Sequence, residues 1–207
     1  MHPNSAFRPM QDDLAALFVR ELGFAAIFAG TPDGPRVAHA PVLLSEDATT
    51  LRFHLARGNG LTKHLAGTAA LVVVQGPDAY VSANWYADRI NAVPTWNYVA
   101  VEMEGVPRQL DDDGLVAQLD ALAALHEARV GENPPWTREK VDPTYFNKLA
   151  GAILGFEMRI TAWRPTIKLS QNKDARERAR VADGIERTGH AALAHLMRQL
   201  AGARDGA

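Results

Sequence analysis

The stretch Phe53-His54-Leu55-Ala56-Arg57-Gly58-Asn59-Gly60-Leu61-Thr62-Lys63-His64-Leu65 gathers the residue types that hold a phosphate. A strand pattern ends near Ala56, a Gly-Asn-Gly turn follows, and a short helix begins behind it. Arg57, Asn59, Thr62 and Lys63 crowd that junction. A planar guanidinium offers bidentate contact to oxyanions, backbone N–H groups at a helix start add donors, and glycines let the chain approach a ligand closely. A solvated strand–turn–helix junction accounts for the same residues.

Three further segments are dense in groups that bind a flat polar ring. Gln75–Tyr86 runs polar and aromatic after an apolar strand and ends on the pair Trp85-Tyr86. Val93-Pro94-Thr95-Trp96-Asn97-Tyr98 repeats that texture, and Lys168-Leu169-Ser170-Gln171-Asn172-Lys173 concentrates hydrogen-bonding side chains in a connector. Aromatic faces stack on a ring while amides and hydroxyls fix its orientation. Core or interface packing explains Trp85, Tyr86 and Trp96 equally, and a helix cap explains the third segment.

Other chemistries lack their parts. The chain has 207 residues and no cysteine, which removes disulfides, thiolate metal sites and a cysteine nucleophile. The seven histidines include no His-Glu-x-x-His pair, and His190 and His195 are five apart. Neither a Gly-x-Ser-x-Gly elbow nor a Gly-x-Gly-x-x-Gly fingerprint occurs. A net charge of −2 gives no global attraction to nucleic acid. The one basic cluster, Lys173, Arg176, Arg178 and Arg180, alternates with Asp174 and Glu177 as a solvated helix face does, so direct DNA binding is poorly supported. Met1–Arg20 lacks the pattern of a secretory leader and no apolar run reaches the roughly 20 residues of a membrane span, so a cytoplasmic location is expected.

The elements that must position these groups are mainly extended. Residues 12–22 read as a helix stopped by Gly23; Phe24–Ala29 and Arg36–Leu44 form a hairpin across the turn Thr31-Pro32-Asp33-Gly34. Thr50–Ala56 alternates, Leu71–Gln75 is a short apolar strand, and Trp96–Gly105 turns Val99, Val101 and Met103 to one face. A helix is expected over about Asp113–Arg129 with a stripe of Leu115, Leu119, Leu122 and Leu125, broken by Asn133-Pro134-Pro135. Residues 153–163 form a last strand with Phe156, Met158, Ile160 and Ala162 on one side, and the tail from about Asp174 is helical, with Leu193, Leu196 and Leu200 aligned. Some six strands and four helices in this order do not repeat βαβ. The expected class is α+β, mainly β with helices: an antiparallel barrel with helical decoration and a C-terminal helix.

Taken together in order and spacing, these blocks resemble the PaiB-type FMN-binding negative transcriptional regulators. The likeness opens on Met1-His2-Pro3 and Phe7, continues through Ala38-His39-Ala40-Pro41 and His54–Asn59, and runs on through Gln75–Tyr86, Val93–Tyr98 and Lys168–Lys173. It reaches about residue 175. The resemblance implies the split β-barrel of the pyridoxamine-phosphate-oxidase-like flavoproteins, with residues 1–170 as the FMN-binding domain and 171–207 as a helical extension packed on it. It implies FMN as cofactor and a homodimer with the site at the subunit interface. Arg57, Asn59 and Lys63 then stand for the phosphate grip. His39, Pro41, Val42, His54, Leu55 and Ala56 would line the ring side. Gln75, Ser82, Trp85, Tyr86, Trp96 and Asn97 would border the pocket, and Ser170, Gln171 and Asn172 would reach it from the partner subunit. Three functions fit that resemblance: a regulator, an FMN-dependent oxidoreductase using NAD(P)H, and a flavin- or tetrapyrrole-binding protein without turnover.

Overall fold

The computed structural model describes residues 4–7 and 12–202. Period-two alternation builds the strands. In β1 (Phe24–Thr31) Ala25, Ile27 and Ala29 are buried, in β2 (Gly34–Leu44) Ala38, Ala40, Val42 and Leu44, and in β3 (Thr50–Ala56) Leu51, Phe53 and Leu55. Successive side chains of a strand point to opposite faces, so each strand commits one face to the core. With β4 (Ala70–Val81), β5 (Thr95–Gln109) and β6 (Ile153–Lys168), the strands close a barrel in the order β1-β2-β3-β6-β5-β4. The pairs β1–β2, β1–β4, β2–β3 and β3–β6 are antiparallel. The helices are α1 (Asp12–Leu22), α2 (Thr62–Leu65), α3 (Asp112–Val130), α4 (Pro143–Ala150), α5 (Ala175–Arg187) and α6 (Ala191–Gly202). The class is α+β, as expected, and among the described residues no helix is long and apolar enough to cross a membrane.

The described residues fall into two compact units. One is drawn from Ala16–Val74 and Glu102–Trp163, the other from Met1–Ala15, Gln75–Val101 and Arg164–Ala207. The first buries Ile27, Leu51, Phe53, Leu65, Val72, Met103, Phe156 and Met158, with the rings of the register partners Phe53 and Phe156 stacked 5.6 Å apart. The second buries Ala79, Val81, Val99 and Val101 on its strand segments and Val181, Ile185, Leu193 and Met197 on α5 and α6.

Several elements differ from the sequence expectation. β4 runs to Val81: Ala70, Val72 and Val74 are buried before Gly76-Pro77-Asp78, and Ala79 and Val81 are buried after it on either side of exposed Tyr80, so the alternation resumes there shifted by one residue. α3 ends at Gly131, a left-handed cap at φ 74°, before the prolines are reached. Its buried residues are Leu115 and Gln118, while Leu119, Leu122 and Leu125 are only half-buried. α4 was not expected; Asp142 caps it through Tyr145 N, with Pro143 at its first position. The tail divides at Gly189 into two helices that pack on each other.

β5 and β6 meet closely at Gly105. A Cβ there would lie 2.3 Å from the Arg159 carbonyl oxygen and 2.6 Å from Met158 Cγ. Gly105→Ala therefore forces the two strands apart and should cost about 1–3 kcal/mol, the range for overpacked sites. Urea unfolding measures it; an unchanged midpoint would show that the ladder yields without cost.

Glu157 of β6 ties three strands together. It accepts from Arg52 Nε of β3 at 2.7 Å and from Arg108 Nη2 of β5. Burial pushes its carboxyl pKa up, but the hydrogen bonds and charges of Arg52 and Arg108 outweigh burial and leave it below its ordinary value. A folded-state pKa below the unfolded one means stability present above the unfolded value, about 4.3, and lost as pH falls through the folded value. Glu157→Gln should thus melt below the parent at neutral pH, and the gap should close on acidification below about pH 4. Thermal melts across that window decide it; a gap independent of pH would remove the ionic contribution.

Candidate functional site

The β3–α2 turn is built by its own polar groups. Asn59 N donates to the Ala56 carbonyl at 3.0 Å, and Asn59 Oδ1 accepts from Leu61 N at 2.9 Å. Thr62, buried, donates its hydroxyl to the same Ala56 carbonyl at 2.8 Å and its N–H to the Asn59 carbonyl at 3.0 Å. The donors expected at the start of the helix are, for Leu61 and Thr62, engaged within the turn. α2 has only four residues, which leaves an anion site here to side chains. Those side chains are Arg57 and Lys63, both exposed. Arg57 N donates to the Ala152 carbonyl at 2.9 Å and its Nε to the Gly151 carbonyl at 2.6 Å. The guanidinium is thereby oriented by a neutral acceptor, with its terminal nitrogens still able to take an oxyanion in a fork. Cβ atoms at Gly58 and Gly60 would meet nothing within 4 Å, so the turn is open on that side. This arrangement fits the terminal phosphate of FMN.

The expected ring-side residues divide by strand face. Val42 and Leu55 are buried, so they offer a ligand only their backbone. His39 is exposed, Pro41 half-buried, and Ala56 exposed. The register Val42↔Phe53 carries Pro41 opposite His54 on the outward face. His54 is half-buried; its Nδ1 lies 3.4 Å from Gln118 Nε2 of α3, and burial lowers its pKa. Gln118 and the Gly151 carbonyl were not singled out from sequence. The one signal for Gln118 was its place three residues after Leu115, where the apolar stripe of α3 continues.

The remaining candidates lie in the other unit and form three local clusters. Exposed Gln75 reaches Asp78 at 3.4 Å; Asp78 accepts from Trp96 Nε1 at 3.0 Å, and Trp96 meets Tyr80 edge-on. Asn97 is fully buried. It exchanges hydrogen bonds with Ser170 at 3.0 and 3.2 Å and approaches Met197 Sδ at 3.5 Å. Gln171 accepts from Leu169 N at 2.7 Å and donates to the Ile167 carbonyl, closing the turn after β6. Asn172 is exposed. Ser82 accepts from Asn84 N at 3.2 Å, and the Trp85 indole packs on Gly184 of α5 so tightly that a Cβ there would lie 2.4 Å away. Tyr86 is buried under the Lys173 ammonium, 4.7 Å from its ring centre, and burial foremost, then Glu177, raises its hydroxyl pKa. Glu177 in turn accepts from Ala87 N at 3.0 Å. Lys168 donates to Thr95 Oγ1 at 2.6 Å and stands over the buried ring of Phe7. Met1-His2-Pro3 lies outside the described residues.

Comparison with known proteins gives these groups a context. Residues 1–162 match the family described as "Putative FMN-binding domain". The chain is 30% identical over 172 residues to the protease synthase and sporulation protein PAI 2 of Bacillus subtilis, covering 82% of this chain and 81% of that protein. Among solved structures, the FAD and heme binding protein of Mycobacterium smegmatis aligns with a TM-score of 0.59 at 19% identity, over 82% of this chain and 77% of that one. The flavocytochrome Anf3 of Azotobacter vinelandii aligns with a TM-score of 0.62 at 14% identity, over 86% and 78%. At such identities the solved structures speak for the fold, which they share as split barrels. The family match and the relative of known sequence go further: this chain belongs to the PaiB-type FMN-binding family, and FMN is its cofactor.

Proposed function

We propose that the protein is an FMN-binding regulator of the PaiB type, gripping the cofactor phosphate at the β3–α2 turn with the flavin ring alongside β2 and β3. The observation that carries this reading is the Arg57 guanidinium, held on the Gly151 carbonyl yet exposed, on the same open turn as exposed Lys63. An oxyanion gains most from a cation that is already oriented and not already neutralised. Asn59 shapes the turn, and His39, Pro41 and His54 are the outward side chains for the ring. Val42, Leu55 and Ala56 contribute backbone. Gln75, Trp96 and exposed Asn172 supply polar and stacking contacts, while Ser82, Trp85, Tyr86, Asn97, Ser170 and Gln171 hold the loops that carry them.

Residues 171–207 act as a helical extension of the barrel domain, and the site is completed by a second copy in a homodimer, with Asn172 reaching across. When bound, FMN supplies electron transfer, and the chain binds and orients it. The location is the cytoplasm. Regulation runs through a metabolite or protein partner, since the basic residues of α5 alternate with acids.

The absorption spectrum of the purified protein, before and after NADPH, tests the function. A flavin band that persists under NADPH is expected. Rapid bleaching would replace the regulator with an FMN-dependent oxidoreductase, and a colourless protein that ignores added FMN would overturn the flavin site altogether. Arg57→Ala should raise the FMN dissociation constant about 10- to 150-fold, the equivalent of about 1.5–3 kcal/mol for one charge-assisted contact. Fluorescence titration reads it, and Glu21→Gln, far along the chain from the grip, should leave the constant alone.

A further inference from the structure

Gln118 is 1% exposed, and its Oε1 has no hydrogen-bond partner among the described residues. An amide so placed on an otherwise apolar helix stripe needs a reason, because an unpaired buried polar atom costs free energy. The reason lies across the β3–β6 ladder. His54 pairs with Gly155 in register, and the missing side chain of Gly155 makes the space the amide occupies. A Cβ there would lie 3.2 Å from Gln118 Oε1 and 3.2 Å from the Leu110 and Leu115 methyls. Leu110 N donates to the Gly155 carbonyl at 2.9 Å, and Asp111 caps α3 through Gly114 N at 2.8 Å, which sets the helix over the strand at this point.

The amide has two ways round. With Nε2 toward His54 Nδ1, as found at 3.4 Å, a carbonyl oxygen is left facing Gly155. Reversed, it would leave both N–H groups against Gly155 and leucine methyls, and orphaned buried N–H groups are rarer than under-satisfied carbonyls. An N–H pointed at Nδ1 requires a lone pair there, so the neutral imidazole carries its proton on the other nitrogen. Among the described residues, Nε2 has no protein partner.

We propose that Gln118 is a positioning residue that fixes neutral His54 as the Nε2–H tautomer, giving the outward face of β3 a hydrogen-bond donor for an acceptor atom of the flavin ring. The flavin half of this inference rests on the reading that the ring lies beside β2 and β3; the tautomer half does not. Burial, which lowers the His54 pKa, favours the neutral ring that a tautomer requires.

The experiment is a long-range proton–nitrogen correlation spectrum of the full chain labelled with nitrogen-15 histidine. His54 is assigned by the signals lost in His54→Gln. Wild type should show a protonated Nε2 and a bare Nδ1. Gln118→Glu, whose carboxylate can only accept, should move a proton onto Nδ1, and Gln118→Met should give a mixture. A wild-type His54 protonated on Nδ1, or a tautomer unchanged in Gln118→Met, would overturn the proposal; the wild-type spectrum decides even where a variant fails to fold. With FMN added, Gln118→Met should lower the flavin midpoint potential while the phosphate grip keeps affinity within about threefold. A potential that ignores the tautomer would remove the flavin half alone, and failure of wild type to bind FMN would instead overturn the reading of the site.

Discussion

The antiparallel ladder between β3 and β6 is the constraint on which the candidate site depends. It runs from Thr50↔Arg159 to Ala56↔Ile153, and the bond from Arg57 N to the Ala152 carbonyl extends it by one step. That register aligns Phe53 with Phe156 inside and His54 with Gly155 outside. It also brings the end of α4 to the place where Arg57 needs an acceptor. A slip of one residue would turn every side chain of β3 to the other face, burying His54 and exposing Phe53. The stacked phenylalanines and the Arg52–Glu157–Arg108 bridge guard against that slip from opposite faces of the sheet.

How an arginine is held decides what it can still do. Arg52 and Arg108 share Glu157, Arg138 forks onto Asp120, and Arg198 sits between Asp183 and Glu186. Those guanidiniums are engaged by carboxylates and serve to join elements. Arg57 is anchored by a backbone carbonyl, which fixes direction without cancelling charge. A phosphate bound at this turn, as proposed, would meet a cation whose ordering cost has been met by folding. Lys63, on the same turn, adds charge without comparable orientation.

Much of this was legible from residue order because it is local. The hairpin, β3 and the turn after it depend on alternation and on glycine, both of which a short window displays. The parts that were missed are decided by distant partners. Gly76-Pro77-Asp78 reads as a chain break, yet Ala79 and Val81 find burial and β4 continues. Gln118 looks like the polar interruption of a leucine stripe, and only the bare Cα of Gly155, 37 positions later in the chain, makes its burial tolerable. Asn97 reads as a pocket-border residue and Ser170 as a contact from the partner subunit; that the two bond one another in a buried pair, 73 positions apart, is not visible in either segment.

That last pair bears on how the motif blocks divide. A residue spent wholly on its own chain cannot also be a ligand contact without breaking the bond it makes, and a buried amide left unpaired costs about 1–3 kcal/mol. Asn97, at 0% exposure, has its amide committed to Ser170 and Met197. Ser170 adopts φ 61°, a left-handed conformation that serine takes only under tertiary demand, and the hydrogen bonds to Asn97 supply that demand. Gln171 closes the same turn, so the segment from Lys168 to Lys173 is a hydrogen-bonded corner that leaves Asn172 exposed. The dense polarity of the blocks thus has two sources. One set of residues, Arg57 and Lys63 with the outward positions of β2 and β3, faces the solvent where a cofactor can reach it; the other builds the corners that hold exposed residues still.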